Sequence, residues 1–402
     1  MKPKEPFLRR VRLENYKSIS ACDLTLGPLT FLVGKNGSGK SNFLDALRLV
    51  ADSLRNPLDH ALRDRGGIGE VRRRSGGHPT HFGIRLDLRL PSGEDAHYSF
   101  KVAARRNGGF EVQQEQCQVK TGSRTDYFEM RSGNLARKSV PAAPPGQSDR
   151  LYLVVASSLR EFRPVFDALS QMGFYNLNPQ RIRELQSPDP GTLLARDGFN
   201  LASVLRHLQQ NSPRIGERVQ EYLTAIVPDI SSVAHCGIGP KETLEFKLQV
   251  AGQKSPWRFL AANMSDGTLR ALAVLVSLFQ SANGGPRSPL VGIEEPEAAL
   301  HPGAAQVLFD AIQEASGFTQ IVVTSHSPDL LDNTDIDPAS IYSVDMKEGT
   351  TEISQLSEDT KRLLQDRLFT AGELMRNNQL EALSPSRNGQ LLLKLFDETL
   401  DG

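Results

Sequence analysis

The order of apolar and polar residues near the start of the chain predicts three strands followed by a helix. Leu8–Glu14 alternates in strand fashion, and Leu24–Leu26 is a second short apolar segment. The apolar run Leu29–Val33 is typical of a strand buried on both faces. A glycine-rich loop follows it, and Asn42–Leu54 has the spacing of an amphipathic helix. The pattern therefore predicts a buried strand, a loop and a helix in direct succession.

The middle of the chain changes period. From position 82 to position 130 apolar residues recur at every second position, which predicts an antiparallel sheet of several strands. The apolar segment Leu151–Ala156 predicts a further strand. The spacing within Phe162–Gln171 and Asn200–Val227 predicts helices. This part of the chain is thus predicted to begin as a sheet and to continue mainly as helices.

The last third of the chain alternates between helices and short buried strands. We predict two helices, two buried strands and a final strand pair, at Thr268–Ser281, Gly303–Ala315, Pro289–Ile293, Gln320–Thr324, Ser340–Val344 and Thr351–Ile353. Charged or polar residues follow both buried strands directly. The carboxyl ends of such strands are where ligands of parallel sheets bind, so candidate chemistry is expected there.

Composition narrows the class of protein. The 402 residues include 47 basic and 47 acidic side chains, and this balance argues against a protein that coats nucleic acid by bulk charge. The cysteines Cys22, Cys117 and Cys236 have no metal-binding spacing, which favours reduced thiols. The chain has neither a signal-peptide pattern nor an apolar run long enough to span a bilayer. We therefore expect a cytoplasmic protein with no membrane partner.

The glycine-rich loop carries the first candidate site. It fits the pattern G-x-x-x-x-G-K-[ST] at every fixed position, with the residues Gly34, Lys35, Asn36, Gly37, Ser38, Gly39, Lys40 and Ser41. The glycines allow backbone N–H groups to point at phosphates, and the following helix adds its positive amino-terminal end. Lys40 would neutralise phosphate charge, and Ser41 would offer its hydroxyl to magnesium. A merely flexible turn is the weaker interpretation, because this loop lies between a strand and a helix.

A second candidate site follows the buried strand Leu290–Ile293. Two carboxylates, Glu294 and Glu295, end this strand in the manner of a Walker B motif. Glu294 would hold magnesium, directly or through water, and Glu295 would orient or deprotonate the attacking water. An acidic loop at a helix start would look the same locally. The long chain separation from Lys40 favours the Walker B interpretation, because few P-loop classes place the two motifs so far apart.

Two further positions gain meaning from where they lie. His326 stands just beyond the buried strand Ile321–Thr324, a position from which it would contact a γ-phosphate. A lone histidine is more often structural, and its place after the strand is what favours function. Ser265 opens the helix that begins near Thr268, where its hydroxyl and the backbone N–H groups would bind an anion. Locally, Ser265 is no more than an N-cap.

These four motifs, in this order, resemble those of the ABC ATPase superfamily, and in particular its RecF/SMC/OLD-like branch, also called AAA15. The likeness includes a strand-turn, a Q-loop, a signature motif, a Walker B and D-loop segment and an H-loop, at Leu13–Ile19, Phe174–Gln180, Met264–Arg270, Ile293–Pro302 and Thr324–Leu331. The resemblance makes Gln180 a candidate magnesium contact.

The resemblance implies an α/β fold. The expected architecture is an ABC ATPase head: a P-loop NTPase core with a mixed sheet, an antiparallel β subdomain and a helical signature subdomain. The corresponding division places the first part of one lobe at 1–180, the helical signature lobe at 181–284 and the remainder of the first lobe at 285–402.

The resemblance further implies an ATP hydrolase whose site is completed by a second copy. In this family one head supplies the P-loop and Walker B residues, and another supplies the signature. Ser265 and Gly267 would then contact the nucleotide in trans, within a head-to-tail homodimer or higher even oligomer that closes on ATP and Mg²⁺. The sequence departs from the transporter pattern at Asp266 in the signature and at His301 in the D-loop. These departures leave the rate of hydrolysis open.

Two functions remain open for such a protein. One is a DNA-associated switch, in phage defence or DNA repair, that acts with a separate nuclease or toxin effector. Only about 45 residues follow the last predicted strand, which is too few for an appended nuclease. The alternative is an ATP-gated scaffold that binds and releases a partner protein, with little turnover and no DNA binding. A transporter subunit is disfavoured by the signature, and a P-loop kinase by His326.

Local basic clusters bear on the DNA question. One group lies between positions 63 and 74 and another between 101 and 106; they comprise Arg63, Arg65, Arg72, Arg73, Arg74, Lys101, Arg105 and Arg106. Such clusters contact phosphate backbones in some proteins and are solvated loops in others, and the sequence favours neither. Any DNA contact would be to the backbone, because the sequence carries no base-reading motif.

Overall fold

The computed structural model describes residues 5–75, 79–140, 145–282, 288–383 and 393–397. Its strands are β1 (Leu8–Tyr16), β2 (Ile19–Thr25), β3 (Leu29–Val33), β4 (His81–Arg89), β5 (Asp95–Ala104), β6 (Phe110–Thr121), β7 (Arg124–Arg131), β8 (Asn134–Lys138), β9 (Gly173–Tyr175), β10 (Ile230–Ile238), β11 (Lys241–Leu248), β12 (Trp257–Leu260), β13 (Leu290–Glu294), β14 (Gln320–Ser325), β15 (Ile341–Lys347) and β16 (Thr350–Gln355). Its helices are α1 (Lys40–Arg55), α2 (Leu58–Arg63), α3 (Ile68–Val71), α4 (Leu153–Ala156), α5 (Arg163–Ser170), α6 (Pro179–Arg183), α7 (Leu201–Asn211), α8 (Pro213–Ile226), α9 (Asp266–Phe279), α10 (Ala305–Ser316), α11 (Glu358–Gln365) and α12 (Ala371–Arg376).

A six-stranded mixed sheet forms the centre of the fold. Its strands lie in the order β16-β15-β3-β14-β13-β9, and all neighbours are parallel except the hairpin of β15 and β16. The carboxyl ends of β3, β13 and β14 therefore lie at one edge of the sheet, where ligands of parallel sheets bind. The mixed sheet that the resemblance implies is confirmed.

A seven-stranded antiparallel sheet shares one apolar core with α1 and the central sheet. Its strand order is β2-β1-β4-β5-β6-β7-β8. β4 and β5 each contain five consecutive buried residues, and the ring of Tyr16 on β1 meets that of Phe82 on β4 edge to face at 5.7 Å. Leu47 of α1 and Val322 of the central sheet belong to the same core. The period-two pattern of residues 82–130 thus predicts this sheet correctly.

A second apolar core covers the other face of the central sheet. It contains α7, α8 and α9, the small sheet β10-β11-β12, and α10. Phe31 and Val33 of β3 belong to this second core, whereas Leu32 belongs to the first. Because β3 is buried on both faces, its sequence is an unbroken apolar run. The domain boundaries at 180 and 284 stay a prediction, and position 284 lies outside the described residues.

The strand predicted at Leu151–Ala156 is wrong, because Leu153–Ala156 is the single helical turn α4. A buried carboxyl, Glu115 on β6, accepts the backbone N–H groups of Tyr152 and Leu153, the latter at 2.8 Å. The Glu115 side chain thus accepts hydrogen bonds from these two N–H groups. In a strand, the same groups would have donated to a neighbouring strand. The sequence also does not predict β9, which at three residues is too short to show a period.

Because of the buried Glu115 carboxyl, we expect the free energy of unfolding to fall as pH rises toward neutrality. Burial raises the pKa of Glu115 to about 7, although Tyr98 and two backbone N–H groups donate to it. The folded-state pKa lies above the unfolded value of 4.5, so the stabilisation is complete below pH 4.5 and is lost as pH rises to about 7. The expected loss is about 3 kcal/mol.

Glu115→Gln is the variant that checks this prediction, because an amide does not titrate. The variant is itself destabilised, since an NH₂ group replaces one acceptor oxygen. Melting temperatures of both proteins, measured from pH 4.5 to 8, should show a smaller decline for the variant. Parallel pH profiles would contradict the prediction.

Within the described ranges no helix is long and apolar enough to cross a membrane.

Candidate functional site

The P-loop turns sharply at the carboxyl end of β3. Gly37 and Gly39 have φ angles of 79° and 99°, which favour glycine. Gly34 and Gly39 also lie so close to other elements that a Cβ would collide with the Val344 carbonyl and the Thr351 side chain, respectively. Gly39 is the N-cap of α1 and has no side chain that could cap the helix. N–H groups of the first helical turn therefore remain available to an anion.

Lys40 lies across this loop rather than in solvent. It is 4% exposed, and its Nζ donates to the carbonyl oxygens of Gly34 at 2.7 Å and Lys35 at 2.9 Å. Burial lowers the pKa of Lys40, and the charges of Glu295 and Glu297 oppose that effect. The ammonium group is thus held against the P-loop, near the carboxylates of the second motif, as phosphate binding requires.

A chain of polar side chains holds the P-loop from the outside. Asn42 Nδ2 donates to Ser18 Oγ at 2.7 Å, and Ser18 Oγ lies 2.6 Å from Thr351 Oγ1. Thr351 donates in turn to the carbonyl of Ser38 at 2.9 Å. The β1–β2 turn and the start of β16 therefore fix the backbone of the loop. Thr351 carries no local sequence signal for this role, because β16 is remote from the loop in the chain.

The parallel strands β13 and β14 bring Glu295 and His326 together. Their register pairs Glu294 with Thr324. Glu295 follows with a φ of 45°, and its N–H donates to the Thr324 carbonyl at 2.9 Å. This turn places Glu295 Oε1 3.0 Å from His326 Nδ1, and the two side chains are 35% and 38% exposed. Both predicted catalytic residues thus lie together at the sheet edge that carries the P-loop.

Glu297 braces the turn that carries His326. Ser325 Oγ donates to Glu297 Oε1 at 2.5 Å and accepts the N–H of Ser327 at 3.1 Å. Glu297 is 7% exposed, and burial raises its pKa. Sequence reasoning missed this residue, and its only signal is the acidic position two residues after Glu295.

Ser41 and Glu294 supply oxygen atoms of the kind that Mg²⁺ prefers. Ser41 is exposed, and Glu294 Oε1 has a loose ion pair with Arg196 at 3.5 Å. No group of three histidine, cysteine, aspartate or glutamate side chains that could hold a metal occurs within the described residues. A magnesium ion here would therefore take its other ligands from phosphate and water, and the donor set fits that arrangement.

The strand register bears on the predicted Q-loop contact. Gln180 lies exposed in the first turn of α6, beyond the end of β9. β9 ends at Tyr175, which pairs with Ile293 of β13. One residue further along these parallel strands stand Asn176 and Glu294. Gln180 stays a prediction as a magnesium contact, and the register favours Asn176 as the amide beside the Walker B carboxylate.

The signature segment lies at the start of α9. Ser265 is exposed and accepts the N–H of Thr268 at 3.2 Å. A Cβ at Gly267 would collide with the carbonyl of Ala299, so packing within one chain already requires glycine there. Among the described residues Ser265 bonds only within its own helix. The contact of Ser265 with a nucleotide held by a second copy stays a prediction.

Arg270 ties the signature helix to the Walker B turn. Its guanidinium donates to the carbonyl oxygens of Leu177 at 2.9 Å, Glu294 at 3.2 Å and Glu295 at 3.0 Å. The position of α9 and the position of the Glu295 turn are thus coupled within one chain. Its place in the signature motif gave no sign of this contact.

The basic cluster at 63–74 is only in part a free surface for phosphate, because the Arg63 and Arg74 side chains are 72% and 69% exposed but the others are more buried. The Arg65 side chain is 2% exposed and pairs with Asp45 at 3.0 Å and Asp52 at 2.8 Å. Arg73 donates to Thr350 at 2.8 Å, beside the P-loop. The remaining members also bond within the chain; they are Arg63, Arg72 and Arg74. Both interpretations weighed for this cluster, a phosphate-tracking patch and a solvated face, are wrong for Arg65.

Curated proteins with known names share parts of this sequence. The OLD nuclease of Thermus scotoductus is 24% identical over 375 residues, which cover 89% of this chain and 66% of the nuclease. The DNA replication and repair protein RecF of Gloeobacter violaceus is 45% identical over 60 residues, 15% of each protein. The chain thus spans about two thirds of the first relative and a small part of the second.

Solved structures of SMC heads share the fold. An SMC head bound to the C-winged helix domain of ScpA has a TM-score of 0.57 at 16% identity, over 88% of this chain and 99% of that head. A Pyrococcus furiosus Smc head with an extended coiled coil, bound to the C-terminal domain of ScpA, has a TM-score of 0.55 at 14% identity, over 90% of this chain and 99% of that one. At these identities the likeness concerns the fold, and it confirms the predicted ABC ATPase head.

A family model matches the central part of the chain, over residues 29–332. These residues include the P-loop, the signature segment, the Walker B strand and His326. Since the match covers well over half of the sequence, the chain belongs to the family described as "AAA domain, putative AbiEii toxin, Type IV TA system", within the RecF/SMC/OLD-like branch of ABC-type ATPases.

Proposed function

We propose that this chain binds ATP with magnesium and hydrolyses it, in head-to-tail pairs of copies. The observation that carries the proposal is the 3.0 Å contact between Glu295 and His326, at the sheet edge that also carries Lys40. A carboxylate close to a histidine, on the side of the sheet that carries a phosphate-binding lysine, suits attack of water on a γ-phosphate.

Each group has a distinct part in this proposal. The backbone N–H groups of residues 34–41 hold the phosphates, and Lys40 neutralises their charge. Ser41 and Glu294 hold magnesium, which supplies further charge neutralisation when bound. Glu295 orients the water and accepts its proton, while His326 holds Glu295 in place and contacts the γ-phosphate.

The second copy enters through Ser265. This residue is exposed at the amino-terminal end of a 14-residue helix, and its described bonds stay within that helix. Across a head-to-tail interface, Ser265 and nearby N–H groups would bind the γ-phosphate held by the other copy. Loss of that phosphate on hydrolysis removes the bridge and lets the pair open.

Dimerisation tests the trans arrangement. In a Glu295→Gln background, Ser265→Ala is expected to abolish ATP-dependent dimerisation, measured by sedimentation, while each copy still binds ATP. Ser357→Ala is the matched control, because Ser357 caps α11 with the same bond to a threonine three residues on. Each substitution removes an N-cap worth about 1 kcal/mol, so stability changes alike in both. Dimerisation of the Ser265 variant at the parent level would contradict the proposal.

The use of this cycle is proposed to be a switch in phage defence or DNA repair, acting with a separate nuclease or toxin. The names of the OLD nuclease and RecF relatives support the link to DNA. An ATP-gated scaffold without DNA is supported instead by Arg65 and Arg73 of the 63–74 cluster, which bond within the chain. ATP turnover measured with and without DNA separates the two. Strong stimulation supports the DNA-associated switch, and slow, DNA-indifferent turnover supports the scaffold.

A further inference from the structure

The Walker B carboxylate already has a cationic neighbour from the segment that leads into α7. Arg196 NH2 lies 3.5 Å from Glu294 Oε1, and the two side chains are 49% and 21% exposed. Charge-assisted hydrogen bonds are shorter, about 2.7–2.9 Å, so this contact is a loose ion pair. A loose, half-exposed pair is one that a better-placed cation can displace.

The backbone of Arg196 is attached beside the strand that adjoins β13. The N–H of Asn176 donates to the Arg196 carbonyl at 3.0 Å, and the N–H of Asn178 donates to the Asp197 carbonyl at 3.0 Å. Residues 196–197 are therefore held just beyond the carboxyl end of β9, which pairs with β13. Because these hydrogen bonds fix the backbone of Arg196, its side chain extends towards Glu294 from a defined position.

A second arginine, Arg48, adds positive charge near Glu294 and Arg196. Arg48 on α1 is held by Asp45 at 2.6 Å, and its side chain is 16% exposed. Burial and the charge of Arg48 both lower the pKa of Arg196. A divalent cation at Glu294 would add to this repulsion unless one guanidinium moved away. Arg196 is the one with room to move, because Arg48 is the more buried and is paired with Asp45.

We propose that Arg196 is a positioning residue that neutralises and orients Glu294 in the nucleotide-free chain, and that it must leave when magnesium and nucleotide bind. The inference rests on the proposed function, because it takes Glu294 as the magnesium-binding carboxylate. Residues 197–200 lead directly into α7, so the departure of Arg196 also releases a contact between the signature lobe and the Walker B edge. Metal loading is thereby coupled to the position of that lobe.

Metal binding tests this inference without turnover. In a Glu295→Gln background with saturating ATP, Mn²⁺ is titrated as the probe and its free concentration is followed by electron paramagnetic resonance. Arg196→Ala is expected to bind Mn²⁺ about two- to fivefold more tightly, the range that corresponds to loss of one exposed ion pair. Arg196→Lys keeps the charge and is expected to stay near the parent. Affinity for a fluorescent ATP analogue in EDTA should be equal in all three.

Arg181→Ala is the matched control. Arg181 lies 3.4 Å from Asp197 and pairs with Glu184, and none of its described contacts is with Glu294. This variant is expected to leave Mn²⁺ binding unchanged. If Arg196→Ala binds Mn²⁺ equally or more weakly, the inference is overturned.

Two other outcomes are also decisive. Loss of nucleotide affinity by Arg196→Ala in EDTA would make Arg196 a phosphate ligand, which overturns its assignment as a positioning residue for Glu294. A parent chain that binds no Mn²⁺ with ATP would overturn the proposed function itself. If the parent binds Mn²⁺ normally but Arg196→Ala does not bind it more tightly, the inference about Arg196 fails and the proposed function stands.

Discussion

Replacing Glu295 by glutamine is expected to lower ATP turnover by about 10²–10⁴-fold while ATP binding is kept. The carboxylate lies 3.0 Å from His326 Nδ1 and is 35% exposed, so it is both close to the histidine and accessible to water. Glutamine keeps the shape and the hydrogen-bonding capacity of the side chain but does not accept a proton from the attacking water. Phosphate release in a single turnover measures the loss, and binding of a fluorescent ATP analogue checks that the nucleotide still enters.

Glu297→Gln provides the comparison for this result. Glu297 is also acidic and belongs to the same segment, but it is 7% exposed and accepts a hydrogen bond from Ser325. An amide oxygen at this position still accepts that bond, so a much smaller loss of turnover is expected. Equal losses in the two variants would show that the segment acts through its packing rather than through a base at Glu295.

Replacing Lys40 by methionine is expected to weaken ATP binding by about 10- to 150-fold. A charge-assisted hydrogen bond contributes about 1.5–3 kcal/mol, and methionine keeps the length of the side chain without its charge. The ammonium is held by the carbonyl oxygens of Gly34 and Lys35, so it is positioned before the nucleotide arrives. Equilibrium binding of a fluorescent ATP analogue with magnesium measures the change.

Lys35→Met is the control for charge near the phosphates. Lys35 is an exposed lysine of the same loop, and the motif uses only its backbone. This variant is expected to bind ATP within a few-fold of the parent. A comparable loss in both variants would indicate a general electrostatic effect of the loop and would argue against a specific role for Lys40. Melting curves for both variants confirm that the loop still folds.

Much of the site follows from local sequence. The P-loop needs a buried strand, a glycine turn and a helix in succession, and all three are readable between Leu29 and Arg55. Glu295 and His326 were also predictable, because each directly follows a buried apolar strand. Parallel strands end at one edge of a sheet, so residues placed after two such strands come close together without further information.

Other parts depend on which elements become neighbours. The pairing of β15 with β3 brings Thr351 to the P-loop, and no local pattern encodes that pairing. The pairing of β9 with β13 brings the segment after Tyr175, which contains Asn176, towards the end of the strand that carries Glu294, and the three-residue β9 shows no period in the sequence. The segment predicted as a strand at Leu151–Ala156 contains a helical turn instead. Glu115, on a different element, accepts the N–H groups of Tyr152 and Leu153 there.

The sequence by itself determined which chemistry this chain carries: a phosphate-binding loop, two carboxylates and a histidine at the ends of buried strands. Only the tertiary structure decided how those groups are held and how they are linked to the signature helix. Arg65 is buried against Asp45, Arg270 reaches the Walker B carbonyls, and Arg196 reaches Glu294. Long side chains reach partners across elements that local periodicity does not relate, so their partners appear only when the strands and helices are assembled.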